Sequence, residues 1–136
     1  MKLPARVTIC EVGTRDGFQI EPEFVATEQK IEVVNQLSAT GMPRIEVTSF
    51  VSPKAVPMLK DAEAVMAGIT RRPGTRYAAL VPNDKGAVRA VDAGVDDIPR
   101  STPVISQTLE CMSKTSSPSQ LRRAVILSDI KCRCLF

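Results

Sequence analysis

The sequence predicts an α/β protein built on a parallel sheet. Segments of strand character begin near residues 7, 44, 77 and 95, and one helix-forming stretch joins each consecutive pair. Glycines stand where those helices should stop, at Gly41 and Gly94. Polar residues gather at the far ends of the strands, where the loops of parallel α/β folds converge.

Val7, Thr8, Ile9, Cys10, Glu11 and Val12 are largely β-branched or apolar, bounded by Pro4 and Gly13, and read as the first strand. From Thr27 a helical pattern takes over, with Ile31, Val34 and Leu37 at three-residue steps up to Gly41. Residues 44–48 form the second strand. A second helix comes next, with Asp61 as its N-cap and Ala62, Val65, Met66 and Ile69 on one face. Residues 77–81 make a continuous apolar strand closed by Pro82. Asn83 or Asp84 caps a third helix that carries Ala87, Val88 and Val91, and residues 95–98 open a fourth strand. This rhythm of right-handed crossovers fits a doubly wound sheet and a (β/α)8 barrel equally. The first βα turn lacks the G-x-G-x-x-G phosphate cradle, which weakens a dinucleotide-binding reading.

Composition narrows the function. The 136 residues are 43% hydrophobic and 24% charged, as in a globular domain, and the longest apolar run spans only residues 77–81. No membrane partner is expected. With no secretory signal at the N-terminus, a cytoplasmic location with reduced thiols is expected. There is no histidine, which excludes a His-based triad or a His-ligated metal supplied by this chain alone. Residues 1–98 carry 12 Lys+Arg against 13 Asp+Glu, whereas residues 99–136 carry 6 against 2. The overall +3 is therefore a property of the tail, and no nucleic-acid surface is expected.

Chemistry is sought at three strand ends. The first offers Glu11, Arg15, Asp16, Gly17 and Gln19: a fixed cation beside a hard oxygen donor, suited to a divalent metal and an anionic or carbonyl substrate, or else an ordinary turn with a surface ion pair. The second offers Glu46, Thr48 and Ser49. Glu46 either faces an interior, with Arg15 as its partner, or faces solvent on an edge strand. The third offers Asn83, as a helix cap or a ligand donor. Residues 50–54 with Met58 read as a lid or a packed loop. Cys10 reads as core, and the Cys132-Arg133-Cys134 pair is too short to hold a metal.

Three blocks go further: Glu11-Val12-Gly13-Thr14-Arg15-Asp16-Gly17-Phe18-Gln19, Ile45-Glu46-Val47-Thr48-Ser49-Phe50-Val51-Ser52-Pro53-Lys54 and Val81-Pro82-Asn83-Asp84-Lys85-Gly86. In order and without large gaps, they resemble 3-hydroxy-3-methylglutaryl-CoA lyases over about residues 5–98. The resemblance selects the barrel and implies the N-terminal part of a (β/α)8 TIM barrel, about three to four βα units of a fold of roughly 250 residues. It implies cleavage of the acyl-CoA to acetyl-CoA and acetoacetate, as in leucine degradation, with Mg2+ or Mn2+ as cofactor. By the same resemblance Asp16 is a metal ligand, Arg15 steadies the enolate oxygen, Glu46 supports the site, and Gln19 and Ser49 position substrate. A related acyl-CoA condensing synthase or aldolase is the alternative within the barrel group. Those relatives read T-L-R-D-G-x-Q at the first turn, where this chain has Val12-Gly13-Thr14 before Arg15.

The family's His-x-His pair, a ligating Asn and a cysteine on a glycine-rich loop have no counterpart in this chain. Between residues 101 and 120, nine of twenty residues are Ser or Thr, and the strand pattern is lost. The expectation is a partial-barrel lyase segment over residues 1–98 and an unrelated tail over 99–136, frameshifted or disordered. The product is then inactive alone, exposes an apolar barrel interior and is prone to aggregate. A homo-oligomer, or a non-catalytic remnant bound to a full-length copy, stays open.

Overall fold

The computed structural model describes residues 5–98. The tail expectation lies outside the described residues. Three parallel strands, β1 (Cys10–Glu11), β2 (Arg44–Ser49) and β3 (Arg76–Leu80), lie in the order β1-β2-β3 among the described residues. A five-residue turn (Gly13–Gly17) and the short α1 (Phe18–Ile20) come after β1; α2 (Thr27–Ala39) leads to β2; α3 (Ala62–Gly68) leads to β3; α4 (Asp84–Asp92) closes the described chain.

One face of the sheet carries the core. Ile45 and Val47 of β2 and Tyr77 and Ala79 of β3 pack against Val34 of α2, Val65 and Met66 of α3, and Ala87 and Ala90 of α4. Apolar side chains at every second strand position meet helical stripes, as a βα crossover requires. The Tyr77 hydroxyl enters this core only because it has partners, donating to Ser38 Oγ at 3.0 Å and accepting from the Arg72 N–H at 3.0 Å. Gly41 and Gly94, at φ of 80° and 72°, end α2 and α4 as anticipated.

Several expectations need correction. The strand expected over residues 7–12 pairs only at Cys10 and Glu11, opposite Arg44 and Ile45. Among the described residues it is an edge strand, and Val7 and Ile9, which precede it, are 76% and 64% exposed. The fourth strand is reduced to a single bridge, Ala78 to Asp97, among the described residues. Asp61 sits at the N-cap position of α3 without capping it, because its carboxylate is taken. Lys30 Nζ donates to it at 2.7 Å and Thr27 Oγ1 at 2.8 Å. Lys30, on α2, is thereby buried at 2% exposure, with the Met58 carbonyl as a second acceptor and the Phe24 ring 4.2 Å away. The buried seam of α4 is Gly86, Ala87 and Ala90, with Val91 partly buried and packed against the core beside them. A Cβ at Gly86 would lie 2.6 Å from the Phe50 carbonyl oxygen, so glycine is what lets α4 approach the end of β2.

The opposite face is not apolar, contrary to expectation. Arg44 and Glu46 of β2 share it with Arg76 and Ala78 of β3, their register partners, and with Asp97. Arg76 is hydrogen-bonded to Asp97, and Arg44 Nε lies 3.7 Å from the same carboxylate. This face is ionic because Arg44 and Glu46, at alternate positions of β2, and Arg76, at the start of β3, are charged.

Candidate active site

The site is built at the C-terminal ends of β1 and β2. After β1 the chain turns sharply: the N–H groups of Arg15 and Asp16 both donate to the Val12 carbonyl, at 3.0 and 2.8 Å. The Glu11 carboxylate accepts the Gly13 N–H at 2.6 Å. The turn is short and self-bonded, so it throws two consecutive charged side chains back over the sheet.

Arg15 is brought to Glu46 as the alternation of β2 suggested. Its Nε donates to Glu46 Oε1 at 2.5 Å, and its Nη1 is paired with the Asp16 carboxylate. Glu46 lies on the central strand with its side chain 6% exposed, so the edge-strand alternative does not hold. Arg15 is 18% exposed and Asp16 55%. The gradient matters: a buried carboxylate holds the guanidinium from below, and a solvent-facing carboxylate flanks it. Arg15 is left with N–H groups beyond these two contacts, since a guanidinium has five.

The other expected residues are placed less centrally. Gln19 is half-buried on α1, and its side-chain amide makes no hydrogen bond among the described residues. Ser49 is buried at the end of β2, where its Oγ donates to the Leu80 carbonyl and accepts the Val51 N–H, both at 3.3 Å. Asn83 caps α4, accepting the Gly86 N–H at 2.9 Å. Phe50 is buried and Met58 supports Lys30 through its carbonyl, so those two belong to a packed loop. Cys10 is half-buried, and burial pushes its thiol up, with nearby Arg44 offsetting part of the effect. It is a protonated thiol at neutral pH. Sequence reasoning missed Thr14, which is 1% exposed and donates to the Glu46 carbonyl at 2.8 Å. Its signal was faint: a lone hydroxyl between Gly13 and Arg15.

No group of three or more His, Cys, Asp or Glu side chains that could hold a metal occurs among the described residues. Asp16 contributes a single carboxylate, one oxygen of which is paired with Arg15.

Comparison with known proteins adds the missing context. Residues 6–127 match the family model described as HMGL-like. The chain belongs to the HMGL-like family. It is 54% identical over 97 residues to hydroxymethylglutaryl-CoA lyase YngG of Bacillus subtilis, covering 71% of this chain and 32% of that protein. It is 49% identical over 98 residues to a 3-hydroxy-3-isohexenylglutaryl-CoA/hydroxy-methylglutaryl-CoA lyase of Pseudomonas aeruginosa, covering 72% and 33%. The HMGL-like chain thus spans about a third of the length of these curated relatives. Among solved structures it resembles hydroxymethylglutaryl-CoA lyase from Pseudomonas aeruginosa, with TM-score 0.69 and 39% identity over 99% of this chain and 45% of that one. It also resembles an HMG-CoA lyase from Acinetobacter baumannii in complex with coenzyme A and 3-methylmalate, with TM-score 0.67 and 40% identity over 94% and 41%. The three-stranded unit is the N-terminal part of the TIM barrel of these lyases.

Proposed function

We propose that residues 5–98 form the first, substrate-anchoring part of a carbon–carbon lyase site for 3-hydroxy-3-methylglutaryl-CoA. The observation that carries this reading is Arg15, held by buried Glu46 at the strand ends beside Asp16, in a member of the HMGL-like family. The Acinetobacter relative's complex with coenzyme A supports an acyl-CoA ligand. Nucleic acid and membrane remain unexpected as partners, and no helix among the described residues is long and apolar enough to cross a membrane. A rat relative, 54% identical over 96 residues, carries "cytoplasmic" in its name, in keeping with the location proposed from the sequence.

In the reaction, the substrate's tertiary hydroxyl loses its proton and the adjacent carbon–carbon bond breaks. One product leaves as acetoacetate, and the bonding electrons move onto the thioester side as an enolate, which takes up a proton to become acetyl-CoA. The developing charge sits on the thioester oxygen. Arg15 is suited to that oxygen because Glu46 fixes its position before substrate arrives, so little reorganisation accompanies charge development. Gln19 and Ser49 are proposed as substrate-positioning residues, Gln19 having its amide uncommitted among the described residues.

The resemblance implies a divalent ion, Mg2+ or Mn2+, with Asp16 among its ligands. The described residues do not fit such an ion by themselves. Mg2+ demands near-octahedral oxygen coordination, and Asp16 offers one carboxylate, with one of its oxygens paired with Arg15. The remaining donors have to come from outside the described residues, and the 136-residue polypeptide is expected to bind acyl-CoA without turning it over.

A chimera tests the reading. Residues 5–98 replace the matching segment of the Bacillus subtilis lyase, and acetoacetate release from 3-hydroxy-3-methylglutaryl-CoA is measured. Cleavage is expected, and Arg15→Met in the chimera should lower kcat by about a hundredfold or more. A chimera that melts like its parent yet cleaves nothing, or that keeps its kcat without Arg15, overturns the assignment.

The exposed apolar segment at Val7 and Ile9, leading into β1, favours a second, compatible reading: self-association of the 136-residue chain along β1.

A further inference from the structure

Two consecutive residues of the first turn grip one residue of β2. Arg15 takes the Glu46 side chain, and Thr14 takes its backbone, Oγ1 donating to the Glu46 carbonyl at 2.8 Å. A threonine hydroxyl in a turn ordinarily bonds to backbone groups a few residues away. This one reaches 32 positions along the chain to another strand, and the side chain is 1% exposed.

The topology explains why a donor is wanted there. The β1–β2 ladder ends with Glu11 opposite Ile45, so the next residue of β2 meets a turn instead of a strand. The Thr14 hydroxyl carries the ladder one position further, to Glu46. A buried carbonyl without a donor costs about 1–3 kcal/mol, so this bond is a strong local constraint. Its effect extends to the two residues directly after Thr14. With the Arg15 and Asp16 N–H groups both closed onto the Val12 carbonyl, the turn is one self-bonded unit. Fixing that unit at Thr14 fixes the origin of both charged side chains.

We propose that Thr14 is a positioning residue: its hydroxyl pins the first turn to β2 and so sets the placement of Arg15 against Glu46 and of Asp16 beside it. The functional weight of this rests on the reading of Arg15 as the group that meets the substrate thioester. Thr14 itself touches no substrate. Its influence passes through the backbone of the turn, and a residue that served packing alone would tolerate replacement by valine, which has the same shape.

The test uses the full 136-residue chain as wild type, Thr14→Val and Thr14→Ser, with arginine side-chain Nε–H signals tracked by NMR and melting measured in parallel. The wild-type Arg15 Nε–H should exchange slowly, as expected of a donor held by a buried carboxylate. Thr14→Val should speed that exchange at least about fivefold, the ratio that corresponds to loss of one hydrogen bond of about 1 kcal/mol. Thr14→Ser, which restores the hydroxyl, should return the exchange to within about twofold of wild type. If Thr14→Val does not fold, Thr14→Cys, with a poorer donor of similar size, is judged by the same criterion. Wild-type exchange in the valine or cysteine variant overturns the proposal, as does a serine variant that behaves like valine. Titration with 3-hydroxy-3-methylglutaryl-CoA separates the two levels. If the wild-type Arg15 signal ignores the acyl-CoA, the substrate assignment fails, while the exchange comparison still decides the role of Thr14.

Discussion

Arg15, Glu46 and Asp16 show how one cation is shared between carboxylates of unequal burial. Glu46, at 6% exposure, has Arg15 as its only ionic partner among the described residues, so the pair is held by geometry as much as by charge. Glu46→Ala removes the buried acceptor and leaves Arg15 with Asp16 alone. The variant is expected to lose about 2 kcal/mol in urea unfolding, and Glu46→Gln less, because an amide oxygen still accepts the Nε–H. Equal losses in the two variants would show that the charge, and not the acceptor, matters. A second pair sits on the outer helices. Arg89 Nε donates to the Glu63 carboxylate at 2.6 Å, and that hydrogen bond, outweighing partial burial, holds the Glu63 carboxyl below its ordinary value of 4.5. With the folded value below the unfolded one, the unfolded chain binds the proton more readily. The pair's contribution is present above pH 4.5 and is lost as pH falls through the lower, folded value. Glu63 is 48% exposed, so the effect is expected to stay under about 1 kcal/mol. Melting of wild type and Glu63→Gln should differ at pH 7 and converge as pH falls below the lowered, folded value, if this carboxylate is the source.

At the level of elements, close approach decides more than propensity. Helix α4 touches the end of β2 through Gly86, whose position would bring a Cβ to 2.6 Å from the Phe50 carbonyl. That oxygen belongs to backbone and cannot swing away, so relief requires the helix to move. Gly86→Ala, which raises helix propensity, is nonetheless expected to destabilise by about 1–3 kcal/mol, read as a lower denaturation midpoint. A midpoint at or above wild type would mean that α4 shifts freely. The α2–α3 junction obeys similar logic. Asp61 stands in sequence where an N-cap should, yet its carboxylate serves Lys30 and Thr27, because a buried ammonium demands an anion more than a helix end demands an acceptor.

Across the molecule, the two faces of the sheet have opposite characters. The helix-covered face is closed and apolar, whereas the other carries Arg44, Glu46, Arg76 and Asp97. Arg44 Nε and Nη2 are buried without hydrogen-bond partners among the described residues, and the Asp97 carboxylate is already hydrogen-bonded to Arg76. The apolar hazard among the described residues lies instead in the segment leading into β1, where Val7 and Ile9 are exposed. Ile9→Lys, which places a charge on that segment, is expected to reduce self-association of the 136-residue chain in light scattering while changing its melting by less than about 0.5 kcal/mol equivalent. Unaltered association would move the contact elsewhere.

The parallel α/β rhythm, the three strand–helix units and the glycine stops at Gly41 and Gly94 were determined by sequence alone. They come from local periodicity and from backbone conformations that few residues can adopt. The Arg15–Glu46 pairing was legible as one of two alternatives, since a carboxylate flanked by Ile45 and Val47 faces away from both; the central place of β2 in the sheet decided between a cation partner and solvent. The extent of β1 and of the fourth strand was not, because a strand exists only as far as a neighbour pairs with it. Nor were the burial of Lys30, the diversion of Asp61 and the reach of Thr14 to Glu46. Each joins residues about thirty positions apart, and no local pattern in a chain encodes which distant backbone carbonyl or carboxylate the fold will bring within bonding distance.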